Sequence, residues 1–120
     1  MKNINDMTEE EQINDVSVDP YVIRYIQNPS EAVQLIAVKQ NGSLIYFIND
    51  PSEEVQLAAV GQHGYVIHLI KNPSKDVLIT ALLKLLQGGN IEFVENLLNK
   101  YSDRNYPEFD IIRKSIDLDK

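Results

Sequence analysis

The chain has 120 residues, 43% of them apolar, with no cysteine and a formal net charge of −7. That length suits one domain, 1–120, with a modest core, and the apolar content excludes a disordered chain. The missing cysteines exclude disulfides, thiolate zinc sites and a cysteine nucleophile, and they fit a reducing compartment, so the cytoplasm is the expected location.

The N-terminal segment, Met1 to Glu11, is polar and acidic and has no apolar stretch of signal-peptide type. No run along the chain approaches the ~18 apolar residues of a membrane span, so no membrane partner is expected. The charge is uneven. Residues 1–20 carry one lysine and six acids, residues 21–89 five basic and five acidic residues, and residues 90–120 five and seven. Clusters of Lys and Arg, which nucleic-acid binding needs, are missing, so no direct nucleic-acid contact is expected. An acidic nucleic-acid mimic would spread carboxylates along the whole molecule, whereas here they crowd at the start. That mimic is kept as an alternative function, beside a structural or assembly module.

A 22-residue repeat organises the middle of the chain. Residues 29–50 and 51–72 align without a gap and are identical at 12 of 22 positions. A degenerate copy precedes them over 8–28, where Thr8, Glu9, Gln12, Ile13 and Val16 match Ser30, Glu31, Gln34, Leu35 and Val38. A further copy, 73–89, opens with PSKDVLITAL and then diverges.

Each copy is expected to hold two helices. Asn28, Asp50 and Asn72 precede a proline and suit N-caps, with Pro at the first helical position. Glu31 and Glu53 would then sit at the third position, in a capping-box-like pattern. Gly42 and Gly64 are expected to close the first helix in the left-handed conformation. The segments VQLIAV and VQLAAV are apolar nearly all round, as in a helix packed on several sides. A second, shorter helix is expected over 43–48 and 65–70, too short to stand without neighbours. Gln34 and Gln56 interrupt the apolar segments and are expected to bridge adjacent copies by hydrogen bonds. Gln40 and Gln62, beside the glycines, are expected to support the loop.

Beyond the repeats, Leu82, Leu83, Leu85 and Leu86 extend a helix that Gly88-Gly89 ends. Residues 90–100 read as an amphipathic helix with Asn90 as N-cap, 101–105 as a loop, and 107–114 as a last short helix before a polar tail. At the other end, Asn14 and Asp15 stand where the next copy has Ile36 and Ala37, as the water-facing side of an outermost repeat allows.

The unit resembles HEAT-like and leucine-rich-variant helical repeats. AVKQNG (37–42) and AVGQHG (59–64) are similar to a family of short repeats found in bacterial and viral proteins. The resemblance covers about residues 8–86 and implies an all-α, right-handed solenoid of HEAT-like stacked helix pairs with a helical C-terminal cap at 90–120. Size and acidity are similar to those of phage anti-defence proteins, including the inhibitor of the bacterial defence-associated sirtuin NADase. That similarity implies an inhibitor acting in the host cytoplasm.

Comparison among copies separates scaffold from surface. Ile23, Ile45 and Ile67 are equivalent, as are Ile26, Ile48 and Ile70, and these are core. Between them the sequence varies: Arg24, Tyr46 and His68 at one position, and Gln27, Asn49 and Lys71 at another. The two positions are three apart and share a helix face. Stacking would join them into a protein-binding ridge, since Tyr and Arg favour interface hot spots.

No catalytic site is expected: the chain lacks a Walker loop, GxSxG and HExxH. His63 and His68 are five apart and do not form a metal pair. Glu9, Glu10 and Glu11 would hold a cation only if the fold gathered them. The expected function is therefore non-enzymatic occupation of a host or defence protein, without cofactor, metal or small-molecule substrate.

Overall fold

A computed structural model describes residues 2–119. Met1 and Lys120, the latter in the expected polar tail, lie outside the described residues. Among the described residues the secondary structure is entirely helical. Each 22-residue copy folds as an α-helix followed by a 3-10 helix. The α-helices are α1 (Glu9–Val18), α2 (Glu31–Gln40), α3 (Glu53–Gln62) and α4 (Lys75–Gln87). A short 3-10 turn, η1 (Ile4–Asp6), comes before α1, and the repeat 3-10 helices are η2 (Pro20–Tyr25), η3 (Gly42–Phe47) and η4 (Gly64–Leu69).

The short second helices are therefore 3-10 helices, starting one residue earlier than the expected 43–48 and 65–70. A 3-10 helix has 3.0 residues per turn, so residues i and i+3 eclipse. Gly42 and Ile45, then Gly64 and Ile67, are buried at that spacing, with Leu44 and Val66 buried beside them and the buried Ile48 and Ile70 as the extended residue that ends each helix.

Elements pack in chain order. α1 lies against α2, α2 against α3 and α3 against α4, while η2 contacts η3 and η3 contacts η4. The result is a layer of α-helices backed by a layer of 3-10 helices, with the core between them. Val16, Val33, Val38, Val55, Val60 and Val77 in the α layer are fully buried, as is Ile23 in the 3-10 layer. The molecule is elongated, 57 × 24 × 16 Å, with a radius of gyration of 16.6 Å. A compact globule of this length would have roughly 13–14 Å.

Helix punctuation differs from the sequence expectation. The N-caps are Ser30, Ser52 and Ser74, whose hydroxyls accept the N–H of Val33, Val55 and Val77 at 3.3 Å. The prolines precede the caps. Asn28, Asp50 and Asn72 instead adopt left-handed backbone, with φ of 52°, 50° and 50°. They turn the chain out of the 3-10 layer, a conformation that short polar side chains tolerate best after glycine. Glu31 and Glu53 consequently open their helices, and each carboxylate accepts the hydroxyl of the next copy's capping serine, Ser52 or Ser74, at 3.2 Å. A reciprocal capping box does form at Thr8 and Glu11.

Gly42 and Gly64 are not left-handed helix caps either. Each begins a 3-10 helix, and each lies hard against the next unit. A Cβ on Gly42 would come 2.5 Å from the Ala59 carbonyl oxygen, and one on Gly64 2.9 Å from Leu85 Cγ. The glutamines exchange their expected roles. Gln34 and Gln56 donate to the carbonyls of Pro29 and Pro51 in their own copy, at 2.9 and 3.0 Å. Gln40 and Gln62 are the bridges: Gln62 Oε1 accepts the Gly42 N–H of the preceding copy at 2.6 Å, and Gln40 Nε2 donates to the Val16 carbonyl of its preceding copy at 3.4 Å.

The C-terminal region closes the stack. α4 ends at Gly88, with Gly89 left-handed at φ 77°. α5 (Ile91–Lys100) packs on α4, and α6 (Pro107–Asp119) on α5, with a 3-10 turn, η5 (Ser102–Arg104), between them. The last helix runs past the expected 107–114 because Phe109, Ile112 and Ile116, at helical spacing, are all buried. Asn90 sits at the N-terminus of α5, but its side chain accepts the Tyr65 hydroxyl instead of capping the helix. At the other end, Asn14 and Asp15 are exposed, as their polar character requires.

Candidate recognition surface

The 3-10 layer presents a three-sided surface because its period is three. One row of side chains (Ile23 and Ile26, Ile45 and Ile48, Ile67 and Ile70) is buried in the core. Arg24, Tyr46 and His68 lie on the next row, whereas Gln27, Asn49 and Lys71, expected on the same helix face, fall in the bends after the 3-10 helices; all six are exposed. The remaining row starts inside, at the half-buried Val22 and the buried Leu44 and Val66. It ends outside at Tyr25, Phe47 and Leu69.

Those three end residues, one per copy at the same position, carry the strongest surface signal in the layer. Tyr25 is 58% exposed, Phe47 42% and Leu69 36%, and Tyr46 beside them is 71% exposed. Isolated exposed apolar residues are ordinary, whereas these recur at one position of three helices that contact in order, η2 with η3 and η3 with η4. The Arg24 guanidinium lies 4.7 Å from the Tyr25 ring centre, and Tyr46 meets Phe47 edge to face at 5.2 Å. The varied polar row and the apolar row thus form one surface. The 22-residue comparison already contained this row, since Tyr25, Phe47 and Leu69 vary between strictly kept isoleucines. It was missed because alternation in a 3.6-residue helix does not place position 25 outside.

The six expected residues are not gathered into one pocket. Arg24, Gln27 and Asn49 line a groove between the first two 3-10 helices, together with Phe47 and Gln34. His68 lines a separate groove with Phe93, Lys100 and Tyr101 of α5 and its end. Tyr46 and Lys71 lie on the crest, outside both grooves. The His68 ring nitrogen Nδ1 contacts the Tyr65 carbonyl, and His63 leans on the Tyr65 ring with centres 5.5 Å apart. The two histidines are therefore engaged with the same tyrosine, not with each other.

Among the described residues, no cluster of three or more His, Asp or Glu side chains is placed to hold a metal ion. Glu9, Glu10 and Glu11 occupy the first turn of α1. Glu11 is held below the usual carboxylate range by the Thr8 backbone N–H and then by Lys2. Among the described residues no helix is long and apolar enough to cross a membrane. No family model matches the chain, and no curated protein or solved structure matches it.

Proposed function

We propose that this chain is a non-enzymatic protein-recognition module, a short solenoid of stacked α/3-10 units that occupies the surface of a host or defence protein in the cytoplasm. The observation that carries the proposal is the row of exposed Tyr25, Phe47 and Leu69 at one repeated position, flanked by Arg24, Tyr46 and His68. Repetition at a fixed spacing turns single exposed side chains into a continuous surface. Tyr and Arg are enriched among the few residues that carry most of the energy of an interface. Inhibition would follow from occlusion, with no bond made or broken by this chain.

Affinity purification with the wild type and with a bait carrying Arg24→Ser, Tyr46→Ser and His68→Ser tests the proposal. A protein partner recovered by the first and lost by the second, with unchanged helical circular dichroism, is the expected result. Equal recovery by both baits would remove the ridge as the site. Recovery of a tightly bound small molecule and no protein would end the binding-module proposal.

A further inference from the structure

The recognition surface has a charge character opposite to that of the whole chain. The molecule carries 18 acidic against 11 basic residues. Yet none of Arg24, Tyr25, Gln27, Tyr46, Phe47, Asn49, His68, Leu69 or Lys71 is acidic, and two of them are cationic. Asp50, the nearest carboxylate in sequence, belongs to the left-handed turn that follows. Asp15 lines a groove beside Tyr25 and Glu92 one beside Tyr65, while the other two grooves on this layer are without a carboxylate. Arg24 lines one of these two, and Lys100 and His68 line the other. Cations stand over rings at its C-terminal end too: Lys100 Nζ and the Arg104 guanidinium lie 5.4 and 4.8 Å from the Tyr101 ring centre. Seven acidic residues stand in the first turns of α1, α2, α3 and α4, and Asp19 caps the start of η2.

We propose that this surface takes an extended acidic peptide segment of the partner, one carrying an apolar or aromatic side chain among its carboxylates. The inference rests on the recognition role proposed above and names the chemistry of what is recognised. An apolar side chain of the segment enters the groove beside Phe47, between Arg24 and Asn49. Its carboxylates meet Arg24 and Lys100 at the two grooves and Lys71 on the crest. Four adjacent helices at the usual spacing of 8–10 Å span roughly 25–30 Å, so a segment of about eight or nine extended residues crosses the surface. Nucleic acid is the poorer occupant, because a chain with this net charge repels a phosphate backbone outside a few cationic points.

Selection of random twelve-residue peptides displayed on phage against the full-length chain tests this. The chosen peptides are then labelled and titrated by fluorescence polarisation at two salt concentrations. Expected are peptides with two or more Asp or Glu residues around Phe, Leu, Ile or Trp, bound more weakly at higher salt. Arg24→Glu combined with Lys100→Glu should weaken them at least tenfold, and Arg24→Gln with Lys100→Gln severalfold, with the thermal melt retained in both.

Basic or uncharged peptides, or acidic ones indifferent to these charge variants, would overturn the acidic-segment proposal. If such peptides are nevertheless lost on Tyr46→Ser with Phe47→Ser, the recognition surface itself stands. Peptides indifferent to both sets of variants would overturn both proposals. A labelled twenty-nucleotide oligothymidine bound more tightly than any selected peptide, or no peptide selected at all, would also overturn this one.

Discussion

Gly42 and Gly61 sit in the same repeated framework for different reasons, and their replacement should have opposite signs. Gly42 meets the Ala59 carbonyl where a Cβ would stand only 2.5 Å away, and that oxygen belongs to rigid backbone. Gly42→Ala should therefore push adjacent units apart and cost about 1–3 kcal/mol. Gly61 lies inside α3, where a Cβ would have nothing within 4 Å. Gly61→Ala should stabilise by up to ~1 kcal/mol through helix propensity. Urea denaturation of both variants checks the pair, and a destabilised Gly61→Ala would contradict it. Comparison of copies marks Gly42 as structural, since Gly64 repeats it. It does not reveal the cause, because the crowding atoms lie on the next unit.

At the scale of an element, one serine both caps a helix and ties two units. Ser52 accepts the Val55 N–H at 3.3 Å and donates its own hydroxyl to Glu31 of the preceding copy at 3.2 Å. Ser52→Ala should cost ~1 kcal/mol, the usual value of an N-cap. Glu31→Gln keeps an acceptor and should cost less than half of that. A double-mutant cycle on the two positions reads the link between units directly, and zero coupling would mean that the hydroxyl only caps. From sequence, Asn28, Asp50 and Asn72 read as caps because each precedes a proline. Asn-Pro suits a helix start as well as Ser does, and only the backbone angle of Asn28, Asp50 and Asn72 separates the two.

Over the whole molecule, the C-terminal helices join the stack through buried apolar residues such as Val94, Leu98 and Phe109 and through a few polar groups. Arg104 donates to the Pro73 carbonyl, to Asn72 Oδ1 at 2.9 Å and to the Tyr106 hydroxyl at 3.5 Å. In a stack where each unit touches mainly its neighbours, such a loss is felt locally. Arg104→Ala should speed amide hydrogen exchange in α5 and α6 while α2 and α3 stay protected. Uniform acceleration along the chain would show instead that the cap unfolds only with the whole.

Lys75 Nζ and Glu108 Oε2 join α4 to α6 at 2.7 Å. The Lys75 ammonium holds the Glu108 carboxyl below the ordinary 4.5. Glu108 in turn raises Lys75 above 10.5. A carboxylate with a depressed folded pKa contributes stability that is present above its unfolded pKa and lost as pH falls through the folded one. Lys75 contributes fully below 10.5 and loses that contribution as pH rises through its raised value. The melting temperature should therefore fall on acidification below about pH 4.5, and less so in Glu108→Gln. Because both partners are substantially exposed, added salt should shrink the difference between wild type and variant.

The amino-acid sequence by itself determined the repeat, its all-helical character, the core isoleucines and the polar end of the first copy. Each of these is a local pattern restated every 22 residues, and repetition averages out ambiguity. What only the tertiary structure decided lies between units. It set the close approach at Gly42, the exchange of roles between Gln34 and Gln62, and the serine-to-glutamate ladder. It also brought Tyr25, Phe47 and Leu69 into one exposed row. These depend on distances between residues about twenty apart in the chain, and side-chain chemistry alone does not encode which neighbour stands there. The ridge of Arg24, Gln27, Tyr46, Asn49, His68 and Lys71 was legible as varied surface, whereas the apolar row beside it became visible once the helices that carry it had three residues per turn instead of 3.6.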